Sequence, residues 1–170
     1  PYARHMKSVI DFLKRQISLG ELELCLPGYS DLVEGILKAV SPKSRLERLT
    51  LCIGRSLEVQ EKKVKIVKDL VAKFPGLKSL NLGIRSFELD ARDLSSFVTA
   101  FMKLKSLESF SLFVGFNKVT DASFDKFLEF VKSTKHFKKR RIKIEGISQK
   151  QKAELGNIID EKIFPSFCDI

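Results

Sequence analysis

Leu77-Lys78-Ser79-Leu80-Asn81-Leu82-Gly83-Ile84 places apolar residues at offsets 0, 3, 5 and 7 of an eight-residue stretch. The pattern recurs as Leu46/Leu49/Leu51/Ile53 on one side and as Leu107/Phe110/Leu112/Val114 on the other. Further out lie Leu19/Leu22/Leu24/Leu26 and a degenerate copy, Phe137/Arg140/Ile142/Ile144. Successive copies start 27, 31, 30 and 30 residues apart. A fixed period of that size marks stacked units, none of which can bury its own apolar face alone. Within each copy the polarity alternates, as in Leu80-Asn81-Leu82-Gly83-Ile84. Period-2 alternation describes a strand with one buried and one exposed face. That excludes a doubly wound sheet, whose strands are covered on both faces and read as continuous apolar runs.

Between the strands the apolar period lengthens to that of a helix. Leu94, Phe97, Val98, Phe101 and Met102 form the clearest stripe, opened by Asp90 with Asp93 three residues on. Thr120-Asp121 opens a helix bearing Phe124, Phe127, Leu128 and Val131. A third carries Val64, Val67, Leu70, Val71 and Phe74 and stops at Pro75-Gly76. A shorter one uses Leu32, Val33, Ile36, Leu37 and Val40, capped by Ser30 and ended before Pro42. Val9, Ile10, Leu13 and Ile17 predict an opening helix; Leu155, Ile158, Ile159 and Ile163 predict a closing one, ended by Pro165. Strands are expected near 22–26, 49–53, 80–84, 110–114 and 141–145, in one parallel sheet in sequence order. The fourteen phenylalanines fall mostly on helix stripes and suit core packing.

At LERLTL (46–51), LKSLNL (77–82) and LESFSL (107–112) the chain resembles the leucine-rich repeat superfamily. The long helical period is most similar to its ribonuclease-inhibitor-like class. The stretch SLFVGFNKVTDASFDKFLEFV, residues 111–131, resembles the protist-type variant repeats of that class. The resemblance covers about residues 19–147. It implies an α/β solenoid, a horseshoe with about five parallel strands on the concave face and helices on the convex face. It implies a binding scaffold and names no ligand. The family's turn ladder of Asn or Cys is nearly absent. Asn117 alone fits it, against Tyr29, Ser56, Phe87 and Ile147 elsewhere, which predicts irregular turns. Arg140 at a core offset predicts that the fifth copy is frayed or terminal. The expected organisation is a single domain over 1–170, with an N-terminal helix at 1–18, repeats at 19–147, and a C-terminal helix and tail at 148–170.

Hydrophobic content of 44% fits a folded chain, and no apolar run approaches the ~20 residues of a membrane helix. No signal-peptide pattern opens the sequence. Pro1 stands where an initiator Met is usual, which fits a fragment or a processed form. An odd count of three cysteines fits a reducing intracellular compartment, the cytoplasm first and an organelle second. Cys25 and Cys52 share offset 6, which makes them neighbours about 4.8 Å apart across parallel strands. A disulfide is within reach. The reading is two reduced thiols on the exposed face. His5 and His136 belong to no metal-spaced cluster, and no HExxH, CxxC, Gly-rich phosphate loop or Ser/His/acid arrangement occurs. The expectation is therefore no enzyme, no cofactor, no metal and no small-molecule substrate.

The net charge of +10 is concentrated. Between Lys132 and Lys152 stand nine basic residues and one acid, Glu145, which together carry +8 of the total. Such an end attracts phosphate or acidic protein surfaces. The exposed strand offsets hold Arg48, Asn81 and Ser111, with Phe113 as a candidate anchor of the kind that dominates interfaces. With Lys138, Lys139, Arg141 and Lys143 they make the candidate partner-binding set. The leading expectation is a protein–protein interaction scaffold, a subunit of a larger assembly, that binds through the concave face and the basic C-terminal end. The alternative is RNA binding through the 132–152 cluster, since phosphate contact needs little beyond clustered cations. Sequence-specific RNA reading usually adds stacking aromatics, and the cluster offers only Phe137, at an inward offset.

Overall fold

The computed structural model describes residues 2–16, 18–26, 30–42, 44–53, 60–134 and 137–156. Within them lie five strands, β1 (Glu21–Leu26), β2 (Arg48–Ile53), β3 (Ser79–Asp90), β4 (Ser109–Lys118) and β5 (Lys139–Glu145). They alternate with α1 (Tyr2–Arg15), α2 (Ser30–Ala39), α3 (Gln60–Lys73), α4 (Ala91–Phe101), α5 (Asp121–Ser133) and α6 (Gln149–Gly156). The strands form one parallel sheet in the order β1-β2-β3-β4-β5. Each expected strand is present. Offset matches offset across the sheet: Leu22, Leu49, Leu80, Phe110 and Arg140 are successive register neighbours. Helices α1 to α5 pack on one another in chain order as a second layer. This is a leucine-rich-repeat solenoid.

The backbone shows how the period is kept. The amides of Lys78 and Ser79 both donate to the Glu47 carbonyl, at 2.8 and 2.9 Å. Those of Glu108 and Ser109 do the same to the Lys78 carbonyl, at 2.8 and 3.0 Å. Each unit thus enters the sheet at the same offset as the one before it. The four template residues of the second, third and fourth copies are all buried. In the end copies Leu19, Leu24, Phe137 and Arg140 are only half-buried, because a terminal unit lacks a neighbour on one side.

One feature departs from the sequence reading. β3 and β4 run on past their templates to Asp90 and Lys118, so Phe87 and Asn117 lie within strands and not in turns. Pairing resumes at Leu89↔Phe116 after a register shift, and Asp90 pairs with Lys118. Strand pairing there serves the backbone groups that a turn ladder would otherwise satisfy. Tyr29 and Ser56 lie outside the described residues. α6 opens at Gln149, one residue past the expected 148. Ser148 and Gln151 exchange bonds, backbone N to side-chain oxygen in both directions, at 2.9 and 3.2 Å. This reciprocal cap starts the helix. Buried Gln151 also donates from Nε2 to Asp121 Oδ1 at 3.1 Å, which ties α6 to the start of α5. Gly146, with φ 85°, makes the preceding turn in the left-handed region that glycine enters without penalty. Ile17 and the stretch from Ile158 to Pro165 lie outside the described residues.

The helix caps follow the sequence where they are seen. Asp90 accepts from the amides of Arg92 and Asp93 at 2.7 and 3.1 Å, and Asp93 Oδ2 accepts from the Asp90 amide at 3.0 Å. Thr120 caps α5 by accepting from the Ser123 amide. Lys73, on α3, donates Nζ to the carbonyls of Leu37 and Lys38 at the end of α2, the pole that favours a cation. Desolvation there lowers the lysine's pKa below its ordinary value.

Candidate functional site

Strand alternation puts offsets 2, 4 and 6 on the sheet face away from the helices. The structure brings the eight candidate residues onto this face or its N-terminal margin, but most of them are already engaged. Arg48 donates from Nε and Nη2 to Glu21 Oε2, at 3.0 and 2.8 Å. That contact raises the guanidinium's pKa further above its ordinary value. Asn81, half-buried, donates from Nδ2 to Thr50 Oγ1 at 3.1 Å. Ser111 stands between Asn81 and Arg141 in the register. Phe113 is half-buried between Gly83 and Lys143, and the Lys143 Nζ lies 5.0 Å from its ring centroid. Lys143 also approaches Glu145 at 3.6 Å.

Lys138 is bonded to Glu108 at 2.5 Å. It belongs to a feature the sequence reading missed. Offset 1 holds Glu47, Lys78, Glu108 and Lys138, an alternating row, and Lys78 bonds Glu47 at 2.7 Å. The signal was legible: the residue after each template-opening apolar residue reads Glu, Lys, Glu, Lys. Exposed pairs of this kind contribute little stability. They do fix which charge faces which across the strands. Hydrogen bonding to Lys138, and then its charge, holds Glu108 below the ordinary carboxylate range. Its pairing is therefore complete above the ordinary carboxylate pKa and is lost only as pH falls through the lower folded value.

Lys139 is exposed opposite Ser109, and Arg141 is half-buried opposite Ser111. Among the described residues neither has a carboxylate within ion-pair distance. These two are the cations of the candidate set that stand without a counter-charge. Arg140 between them points to the core side, and β5 nonetheless pairs with β4 at seven positions, so the fifth copy is not frayed. Its Nη1 is buried with no hydrogen-bond partner among the described residues. An unsatisfied buried group costs about 1–3 kcal/mol. Arg140→Leu, which restores the template residue, is expected to stabilise the protein by about that amount. Denaturant midpoints test this, and a loss of stability would show that the guanidinium is doing useful packing.

Cys25 and Cys52 are register neighbours, as expected. They are not bonded to each other: Cys25 is a free, exposed thiol and Cys52 is held in a disulfide. The expectation of two reduced thiols is corrected for Cys52. Partial burial raises the Cys25 pKa, and the Glu23 carboxylate adds to the rise. The thiolate is the reactive form, so Cys25 should alkylate slowly at neutral pH and faster as pH rises. Glu23→Gln should lower the pKa and speed alkylation of the Cys25 peptide by iodoacetamide, followed by mass spectrometry. An unchanged rate would remove Glu23 as a cause.

Among the described residues no group of three or more His, Cys, Asp or Glu could hold a metal ion. No helix there is long and apolar enough to cross a membrane. In comparisons with known proteins, no family model matches the sequence and no curated protein matches it. The fold does have a counterpart among solved structures. The tropomodulin C-terminal domain of Caenorhabditis elegans superposes with a TM-score of 0.60 at 12% identity, covering 91% of this chain and 90% of that one. At that identity the likeness is one of fold.

Proposed function

We propose that this chain is a non-catalytic scaffold that binds another protein, as a subunit of a larger assembly, through the concave face and the basic end at β5. We also read it as one repeat domain, with repeats nearest the ribonuclease-inhibitor-like class in its protist-type form. The observation that carries the reading is how the charge is distributed on one face. Among the described positions from β2 to β4 the exposed side chains are paired or neutral: Arg48 with Glu21, Lys78 with Glu47, Asn81 with Thr50. At β5 three cations stand in a row, Lys139 and Arg141 unpaired among the described residues and Lys143 laid over Phe113, with Glu145 at the far end of the strand near Lys143. A face whose middle is self-satisfied and whose edge is open directs a charged partner to that edge. A partner that displaces Lys143 from the ring gains a half-buried aromatic.

The experiment compares the wild type with Lys139→Glu/Arg141→Glu and with Phe113→Ala, after nuclease treatment, for proteins cross-linked and co-purified from the native source. The same partner should be retained by the wild type and lost from both variants, with far-UV circular dichroism unchanged. Lys138 stays native, because a carboxylate there would face Glu108 and disturb the row. Retention by both variants would sink the reading. Loss of the partner on nuclease treatment would favour RNA.

A further inference from the structure

The charged rows across the sheet follow a rule that β5 leaves open. Three carboxylates at or just before the start of a strand are each answered by a cation of the next unit: Glu21–Arg48 at 2.8 Å, Glu47–Lys78 at 2.7 Å and Glu108–Lys138 at 2.5 Å. β5 then presents Lys139, Arg141 and Lys143 at every second position; Glu145 approaches Lys143 at 3.6 Å, and no described strand lies beyond β5 to answer Lys139 and Arg141. Its outer edge also carries backbone N–H and C=O groups without a ladder partner among the described residues.

We propose that β5 takes up an acidic, extended segment of a partner protein as an added strand, its carboxylates at alternate positions facing Lys139, Arg141 and Lys143. The proposal rests on the scaffold reading above and gives the partner's chemistry. Main-chain bonds along the edge supply affinity and the alternate side chains supply selectivity. Lysines on an edge strand ordinarily deter pairing between copies of a protein. The same three cations admit a strand of opposite charge. A second copy is the obvious competitor, because β1 ends the sheet with Glu21 and Glu23 on this face. It is the poorer one: Glu21 is already committed to Arg48, and the chain's net charge of +10 opposes self-association.

The probe is a fluorescein-labelled (Glu-Val)5 peptide, read by anisotropy at about 150 mM salt. A (Glu-Pro)5 peptide, which keeps the charge and loses ladder donors, a (Lys-Val)5 peptide and a ten-nucleotide oligouridine are compared with it. The (Glu-Val)5 peptide should bind and should slow amide exchange across residues 139–145. The proline and lysine peptides should bind at least about tenfold more weakly. Lys139→Glu/Arg141→Glu should lower affinity by a similar factor, and Lys139→Gln/Arg141→Gln should weaken it less, in step with charge. Equal binding of the proline peptide, or binding without protection of β5, would overturn strand addition in favour of charge alone. Tighter binding of oligouridine would overturn it in favour of nucleic acid. Self-association abolished by Glu23→Lys would assign the edge to a second copy. No binding of (Glu-Val)5 up to millimolar peptide would overturn it outright. If these arms fail while Lys139→Glu/Arg141→Glu still loses the native partner, the scaffold reading stands and strand addition alone is lost.

Discussion

Phe110→Ala is expected to destabilise the protein by about 3–5 kcal/mol, the range for truncating a buried aromatic. Phe110 occupies offset 3 of the fourth copy, where the second and third copies have leucine. It is 1% exposed. Its ring meets Phe101 of α4 edge-on at 5.0 Å and Phe130 of α5 edge-on at 5.6 Å. Phe101 and Phe130 lie 5.8 Å apart, so the three rings close on one another between the strand and two helices. Removing the central ring leaves a cavity bounded by two side chains fixed on different helices, neither of which can move in to fill it. Phe110→Leu restores the template residue and should cost on the order of 1 kcal/mol, since it keeps most of the apolar volume. Urea midpoints at constant m-value measure both. Similar losses for the two variants would show that ring contacts, rather than filled volume, govern this part of the core. Total stabilities of small domains run to about 5–15 kcal/mol, so the alanine variant would lose a large share of it.

The elements read directly from the sequence are those in which local pattern and neighbour packing agree. Leu49, Leu51 and Ile53 alternate with Arg48, Thr50 and Cys52, and the structure buries the first set and leaves the second at the surface. Because register is shared across the sheet, one alternating strand predicts the faces of its neighbours. What escaped the reading depends on pairs far apart in sequence. β3 continues to Asp90 only because β4 continues beside it, through Leu89↔Phe116 and Asp90↔Lys118, and neither segment has the template pattern. At the candidate site the sequence supplied the residues but not their state. It counted Lys138 and Lys143 as open cations, whereas Glu108 and Phe113 engage them across the strands. The offset-1 row could have set Lys138 apart from Lys139 and Arg141, but the placement of Lys143 over Phe113 depends on side-chain geometry that the pattern does not carry. The disulfide at Cys52 was equally invisible, since cysteine spacing alone does not give connectivity.

Leu82→Ala should cost about 2–5 kcal/mol, and Asn81→Ala no more than about 1.5 kcal/mol. The two residues are adjacent in the central strand and differ in the face they occupy. Leu82 is 3% exposed and stands in register between Leu51 and Leu112, with a stacked unit on each side. Truncation removes apolar contact with both neighbours, and a sheet held by amide pairs at each offset has little freedom to close the gap. Asn81 lies on the concave face, and its described side-chain bond is the one from Nδ2 to Thr50, a hydroxyl that water can serve in its place. The contrast tests more than stability, because the candidate site depends on the same alternation. If Leu82 faces the helices, then Asn81, Ser111 and Arg141 share the opposite face in register, and Lys139 and Lys143 join them at the edge. Equal shifts in midpoint for the two variants would mean that the faces are assigned the wrong way round. Phe113 and the row of cations on β5 would then lie against the helices and not on an open surface, and strand addition at that edge would have no charge selectivity to exploit.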